Sequence, residues 1–301
     1  MGNLLTFRDV TRWSPLEILV DAEFENLGFL GDRLPRMLVF AEDCRALRQA
    51  LLHECVAAVI APPDLARELP SASRAGIAIV PNPRLVFARL HNALVEQTDF
   101  YGVRQPSEID PSARIHPRAA IAGDDVRIGP GVVVEANAII GPGCTLGRGV
   151  VVRAGAVLGS AGFKTCKDKD GHFEMIHAGA LLVEEGAQIF SNATIARGLF
   201  RQATRIGREA RIGNNAFVSH NVEVGARTFV GHGAVVSGNV RIGREVWVGP
   251  GAVLSNRVSI GDGSRVSLGA VVIGDVSAGA HVSGNFAVEH RRLLRHVAGL
   301  S

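Results

Sequence analysis

Residues 205–272 read RIGREA RIGNNA FVSHNV EVGART FVGHGA VVSGNV RIGREV WVGPGA VLSNRV SIGDGS RVSLGA VV, and their spacing decides the fold. An aliphatic residue returns at every sixth position: Ile206, Ile212, Val218, Val224, Val230, Val236, Ile242, Val248, Leu254, Ile260, Val266 and Val272. Neither common element has that period. A helix spaces apolar residues three and four apart, and a half-buried strand alternates them. A six-residue unit is instead one flat side of a coil: a short strand, then a turn in which glycine or asparagine takes a positive φ. Three sides close a coil of about eighteen residues with the aliphatic residue inward, and coils stack about 4.8 Å apart through parallel backbone pairing.

The same phase runs earlier through Ile128, Val134, Ile140, Leu146, Val152 and Leu158, then through Val183, Ile189 and Ile195. Two stretches interrupt it, residues 159–182 (GSAGFKTCKDKDGHFEMIHAGALL) and 197–204 (RGLFRQAT). Insertions in a solenoid become loops on its outside, either tolerated excursions or part of a binding face. Residues 1 to 100 lack the period. There RMLVFAED, CVAAVIAP and GIAIVPNP read as short buried strands, and DCRALRQALLHE and PRLVFARLHNALVE show helical apolar spacing. The sequence therefore divides into a small α/β domain over 1–105, a parallel β-helix over 112–284 and a short helical tail over 285–301.

Composition narrows the function. Only 5% of residues are aromatic and 35 are glycine, which suits a narrow aliphatic core closed by tight turns. A net charge of +3 gives no reason to expect nucleic acid. No apolar run approaches the roughly 20 residues of a membrane span, and the N-terminus lacks a signal-peptide pattern. Cys44, Cys55, Cys144 and Cys166 show no Cys-x-x-Cys spacing, so a reducing, cytoplasmic compartment is expected.

In a solenoid the chemistry lies in columns. Counting the inward residue as position one, the third position holds Asn214, His220, His232, Gly238 and Asn256. Residues eighteen apart share a side, so His220, Gly238 and Asn256 stack, whereas His232 belongs to another side. An imidazole titrates near neutrality and can take a proton from an amine, so His220 is a candidate general base, or else a solvated turn histidine. Gly238 either offers an N–H to an oxyanion or serves only its turn. No nucleophile elbow, P-loop or zinc-spaced His/Cys cluster competes. Asp168, Lys169 and Asp170 read as a solvated run.

Six segments carry a resemblance: LVFAEDCRALRQAL, AAVIAP and VPNPRLVFARL in the first domain; GSAGF and IARG at the interruptions; and VSHNVEVG in the coils. With them the chain resembles the UDP-3-O-acylglucosamine N-acyltransferase family of lipid A biosynthesis. The resemblance implies a left-handed β-helix, a bacterial cytoplasmic homotrimer, and sites between neighbouring subunits. It implies acyl transfer from acyl carrier protein, or from CoA, to an amino-sugar acceptor, with no bound cofactor or metal beyond the donor's phosphopantetheine thioester. His220 is then the base and Gly238 lies near the thioester. Phe40, Asp43, Phe163, Asn214, His232, Asn256 and Arg257 fall where substrates are held, and the 159–182 loop closes over one of them. The C-terminal Arg291, Arg292 and Arg295 either meet an acidic carrier or face solvent.

Some positions depart from the family. Asp43 and Ala46 stand where it has Asn and Tyr beside its uracil, Gly213 where it has an acidic residue, Ala196 within IARG where it has Asp, and Arg257 where it has a second histidine. Those changes imply a relative acting on another amino sugar or amine. The alternatives are an acetyl-CoA-dependent sugar acetyltransferase and a non-catalytic β-helix scaffold.

Overall fold

A computed structural model describes residues 4–68, 73–168 and 171–284, together with Arg295 and Gly299. Apart from Arg295 and Gly299, the expected helical tail, with Arg291 and Arg292, thus lies outside the described residues, as do Lys169 and Asp170. The chain divides into two compact units. One comprises Met1–Pro106, Ala161–Ala180 and Arg197–Ala203, and the other Ser107–Ser160, Leu181–Ala196 and Thr204–Ser301.

The first unit is built on a five-stranded sheet. Its strands are β1 (Glu17–Val20), β2 (Asn26–Leu27), β3 (Met37–Phe40), β4 (Val56–Ala61) and β5 (Gly76–Ile79), in the order β1-β5-β4-β3-β2. Only β1 runs antiparallel to its neighbour. Side chains alternate across the sheet, as a period of two requires. Leu38, Ala58, Ile60 and Ala78 join the core formed with Phe87, Leu90 and Leu94 of one helix (Pro83–Gln97). Met37, Val39, Val59 and Ile77 join Leu47 and Ala50 of another (Cys44–Leu52). Covering both faces is what parallel strands need, since each strand is then apolar throughout.

Both interruptions of the coil period belong to this unit, which the sequence did not foretell. They are not solvated excursions, because each brings apolar side chains into its core. Thr165–Asp168 pairs antiparallel with Gly171–Glu174, and Cys166, Met175, Leu199 and Phe200 are all buried. Phe200 sits edge-on to Phe29, Phe87 and His91.

His91 and Asn92 tie this strand pair down. The fully buried His91 ring places Nε2 2.6 Å from the Ile176 carbonyl and Nδ1 2.7 Å from the Tyr101 hydroxyl. A carbonyl only accepts, so Nε2 carries the proton and Nδ1 accepts from Tyr101. Asn92 donates to Glu174 O and accepts from Ile176 N. Burial lowers the His91 pKa to about 4, against the hydrogen bond to Ile176, which raises it. The unfolded value is near 6.5, so the unfolded chain binds the proton first as pH falls. Stability is therefore full above pH 6.5 and is lost between about 6.5 and 4, by about 3 kcal/mol in total. Thermal unfolding of wild type and His91→Asn across that window checks this: the variant should lose the acid-side slope, and an unchanged slope would refute the assignment.

The second unit is a left-handed parallel β-helix. Among the described residues, three parallel sheets of nine, eight and eight two- to four-residue strands form its sides. Strands pair one coil on, as Phe217 with Val235 and Val235 with Val253, and the register passes over the interruptions to pair Leu158 with Ile195. Every inward residue expected from the period is buried. A second inward column at position five, including Ala216, Val222, Ala234, Val240 and Ala252, fills the corners with smaller side chains. Each buried aliphatic side chain contributes about 1.5–3 kcal/mol. Among the described residues, no helix is long and apolar enough to cross a membrane.

The corner turns refine the expected role of glycine. Positive φ falls at position four, and there Arg227 (56°), Glu245 (56°) and Arg257 (65°) adopt it as well as Asn221 (57°) and Asn239 (61°). This backbone costs a bulky residue roughly 1–2 kcal/mol. At Arg227 and Glu245 the cost is partly offset by an ion pair between the two, one coil apart. The glycine that follows the inward residue answers to another constraint. A Cβ on Gly231 would lie 2.5 Å from Pro250 N in the next coil, so neighbouring backbones leave it no room.

Candidate active site

The His220 corner departs from that pattern in a useful way. Serine, not glycine, follows the inward residue in three successive coils, at Ser219, Ser237 and Ser255. Ser219 is buried and places Oγ 3.2 Å from His220 Nδ1. The His220 ring is half-buried, and Gly238 lies directly behind it. A Cβ on Gly238 would stand 2.8 Å from both Cε1 and Nε2 of the imidazole. Any side chain there would displace the ring, so Gly238 makes the space that His220 occupies.

The Gly238 peptide is held from the next coil at both ends. Its N–H donates to Asn256 Oδ1 at 3.1 Å, and its carbonyl accepts from Arg257 N at 3.1 Å. In the same way the His220 carbonyl accepts from Asn239 N at 3.0 Å. Asn221 Nδ2 donates to Asn239 Oδ1, and Asn221 N donates to Thr204 Oγ1. An oxyanion at Gly238 N–H would have to displace Asn256, a constraint that sequence reasoning missed because it depends on side-chain direction.

The remaining expected residues are dispersed. Asn214 and His232 occupy another corner of the prism, where Asn214 Oδ1 accepts from Ser191 N and His232 Nδ1 accepts from Asn214 N at 2.8 Å. Both thus cap turns of the preceding coil. Arg257 shares the His220 corner but sits at its position-four turn. In the first unit, Asp43 is the N-cap of the helix Cys44–Leu52, its carboxylate accepting from Ala46 N at 2.7 Å. That cap satisfies an otherwise orphaned helix donor. Phe40 packs against Phe29 and Phe87, with the Arg84 guanidinium 5.7 Å over its ring. Arg84 is in turn paired with Glu42, which raises its pKa. Phe163 is 85% exposed. Arg84 and Glu42 carried no signal in the sequence, because their pairing joins residues that are distant along the chain.

Known proteins place this architecture. The bacterial transferase hexapeptide (six repeats) family model matches residues 125–160 and 203–238. UDP-3-O-acylglucosamine N-acyltransferase of Maricaulis maris is 30% identical over 257 residues, covering 73% of this chain and 71% of its own. The same enzyme of Coxiella burnetii is 28% identical over 69% of this chain and 66% of its own. Among solved structures, Arabidopsis UDP-N-acetylglucosamine acyltransferase is similar over 64% of this chain and 78% of its own, at 21% identity and a TM-score of 0.40. The coils, the hexapeptide match and the Maricaulis relative agree: this chain is a hexapeptide-repeat acyltransferase and belongs to the UDP-3-O-acylglucosamine N-acyltransferase family.

Proposed function

We propose that this chain moves an acyl group from a phosphopantetheine thioester to the amine of a sugar, with His220 as general base. One observation carries the reading: a half-buried imidazole backed by a glycine whose missing side chain gives the ring its place. With Nδ1–H donated to Ser219 Oγ, the Nε2 lone pair takes the amine proton as nitrogen attacks the thioester carbon. The C–N bond forms and the carbonyl oxygen gathers negative charge. Collapse of that adduct breaks the C–S bond, and the proton on Nε2 passes to the departing thiolate. The imidazole ends neutral, as it began.

The donor in this proposal is acyl carrier protein or acyl-CoA, and the thioester arrives activated, so no bound cofactor or metal is required. The four cysteines of this chain form no disulfide, which suits a cytoplasmic setting. The assembly is a homotrimer. Ile139, Val235 and Val271 on one side of the β-helix, and Phe229 and Trp247 on the next, are large apolar residues that point outward and are exposed. Side-by-side packing of identical copies buries such columns. Substrate contacts at Asn214, His232, Asn256 and Arg257, and at Phe40, Asp43 and Phe163, belong to the same proposal.

The relatives' name gives UDP-3-O-acylglucosamine as their acceptor. Here the Asp43 carboxylate is spent on a helix cap, Ala46 offers no ring, and Phe40 is enclosed by Phe29, Phe87 and Arg84. The acceptor proposed is therefore another amino sugar, and uridine nucleotides should bind no tighter than millimolar. The test offers acyl carrier protein and CoA thioesters of short and long chains to glucosamine and to UDP-3-O-acylglucosamine, with products read by mass spectrometry. An N-acylated amino sugar is expected. No product from any pair would favour the scaffold reading, and turnover of acetyl-CoA alone would favour the acetyltransferase. Micromolar UDP binding by calorimetry, competing with acceptor, would restore a nucleotide-sugar substrate.

A further inference from the structure

The Gly238 peptide, placed beside the base, has both its polar groups occupied: N–H by Asn256 Oδ1 and C=O by Arg257 N. The Asn239 N–H beside it is spent on the His220 carbonyl, and Asn221 Nδ2 on Asn239 Oδ1. Asn256 differs. A backbone N–H can only donate, so the Asn256 atom facing Gly238 is the oxygen, and the planar amide must turn its Nδ2 hydrogens the other way. Among the described residues those hydrogens have no partner, and the residue is exposed. The side chain reaches back one coil to Gly238, the residue whose Cβ position lies 2.8 Å from the His220 ring.

We propose that Asn256 is a catalytic residue: its Nδ2 donates to the acyl carbonyl oxygen as that oxygen becomes an oxyanion, while its Oδ1 stays fixed on Gly238 N–H. This rests on the acyl-transfer reading above and assigns the oxyanion donor within it. The side chain is preorganised, because the Gly238 N–H fixes the plane of the amide before substrate arrives. A donor held in place costs no reorganisation when charge develops, and a single such donor is typically worth about 10²–10³ in rate. The Gly238 N–H then has a positioning role, orienting the amide that does the binding.

The experiment uses the full-length protein, acyl-pantetheine as donor probe and glucosamine as acceptor, and measures thiol release alongside thermal unfolding. Asn256→Asp keeps the oxygen that accepts from Gly238 N–H and removes the donor. It should lower kcat by about 100-fold or more, leave KM within a few-fold and leave the melting temperature near wild type. Asn256→Ala removes the donor and frees the Gly238 N–H, and it too should lose about 100-fold. Near-wild-type kcat in Asn256→Ala would return the oxyanion to Gly238 and overturn the proposal. Full activity in Asn256→Asp, with loss only in Asn256→Ala, would reduce Asn256 to a turn cap and also overturn it. Failure of the parent reading looks different: wild type itself would release no thiol beyond the His220→Ala background.

Discussion

Replacing His220 by alanine is expected to lower kcat by about 100-fold or more while the coils stay folded, the usual scale for loss of a general base. The fold should tolerate the change because the turn is held by backbone groups that alanine keeps. The carbonyl of residue 220 still accepts from Asn239 N, and Asn221 N still donates to Thr204 Oγ1. Val218 and Val222, which anchor the turn on either side, remain buried in the core. In the proposed mechanism the base acts only as the amine proton moves, so the loss should fall on kcat and leave KM nearly constant. Initial rates of thiol release, set beside a melting curve, make the comparison. Activity within a few-fold of wild type would remove His220 from the mechanism.

The coil stack was legible because its signal repeats. One inward aliphatic per hexad marks the strands from Ile128 to Val272, and each of those residues is buried. The α/β unit was legible in outline for the same reason, its three apolar runs becoming β3, β4 and β5. What stayed hidden depends on contacts that have no period. The edge strands β1 and β2 are too short and mixed to register as apolar runs. The burial of Leu199 and Phe200 could not be read from RGLFRQAT, because it comes from distant partners such as Phe29 and Phe87. Of the site, the column His220–Gly238–Asn256 follows from eighteen-residue arithmetic. That Asn256 holds the Gly238 N–H does not, since spacing places a residue on a corner without saying which way its amide turns. Asp43 shows the same limit from the other direction: the first position before a helix is where aspartate caps, and that role is what the structure gives it.

Gly238→Ala separates the two uses of glycine in this fold. The backbone of Gly238 does not take a positive φ, so alanine meets no conformational penalty there. The added methyl would stand 2.8 Å from Cε1 and Nε2 of His220, closer than carbon and nitrogen tolerate. What must give way is the end of a side chain at a partly exposed corner, so the ring swings out at little cost to the stack. Stability should hardly change, while the base is carried about 1 Å or more from its place, a displacement worth about 100-fold in rate. Gly225→Ala should behave in the opposite way. Its methyl would press on the Gly243 carbonyl, and the next coil cannot move aside without parting the ladder that pairs Val224 with Ile242. That variant should melt several degrees lower than Gly238→Ala. Loss of folding in Gly238→Ala, or full activity with the fold intact, would show that Gly238 does not serve to seat the imidazole.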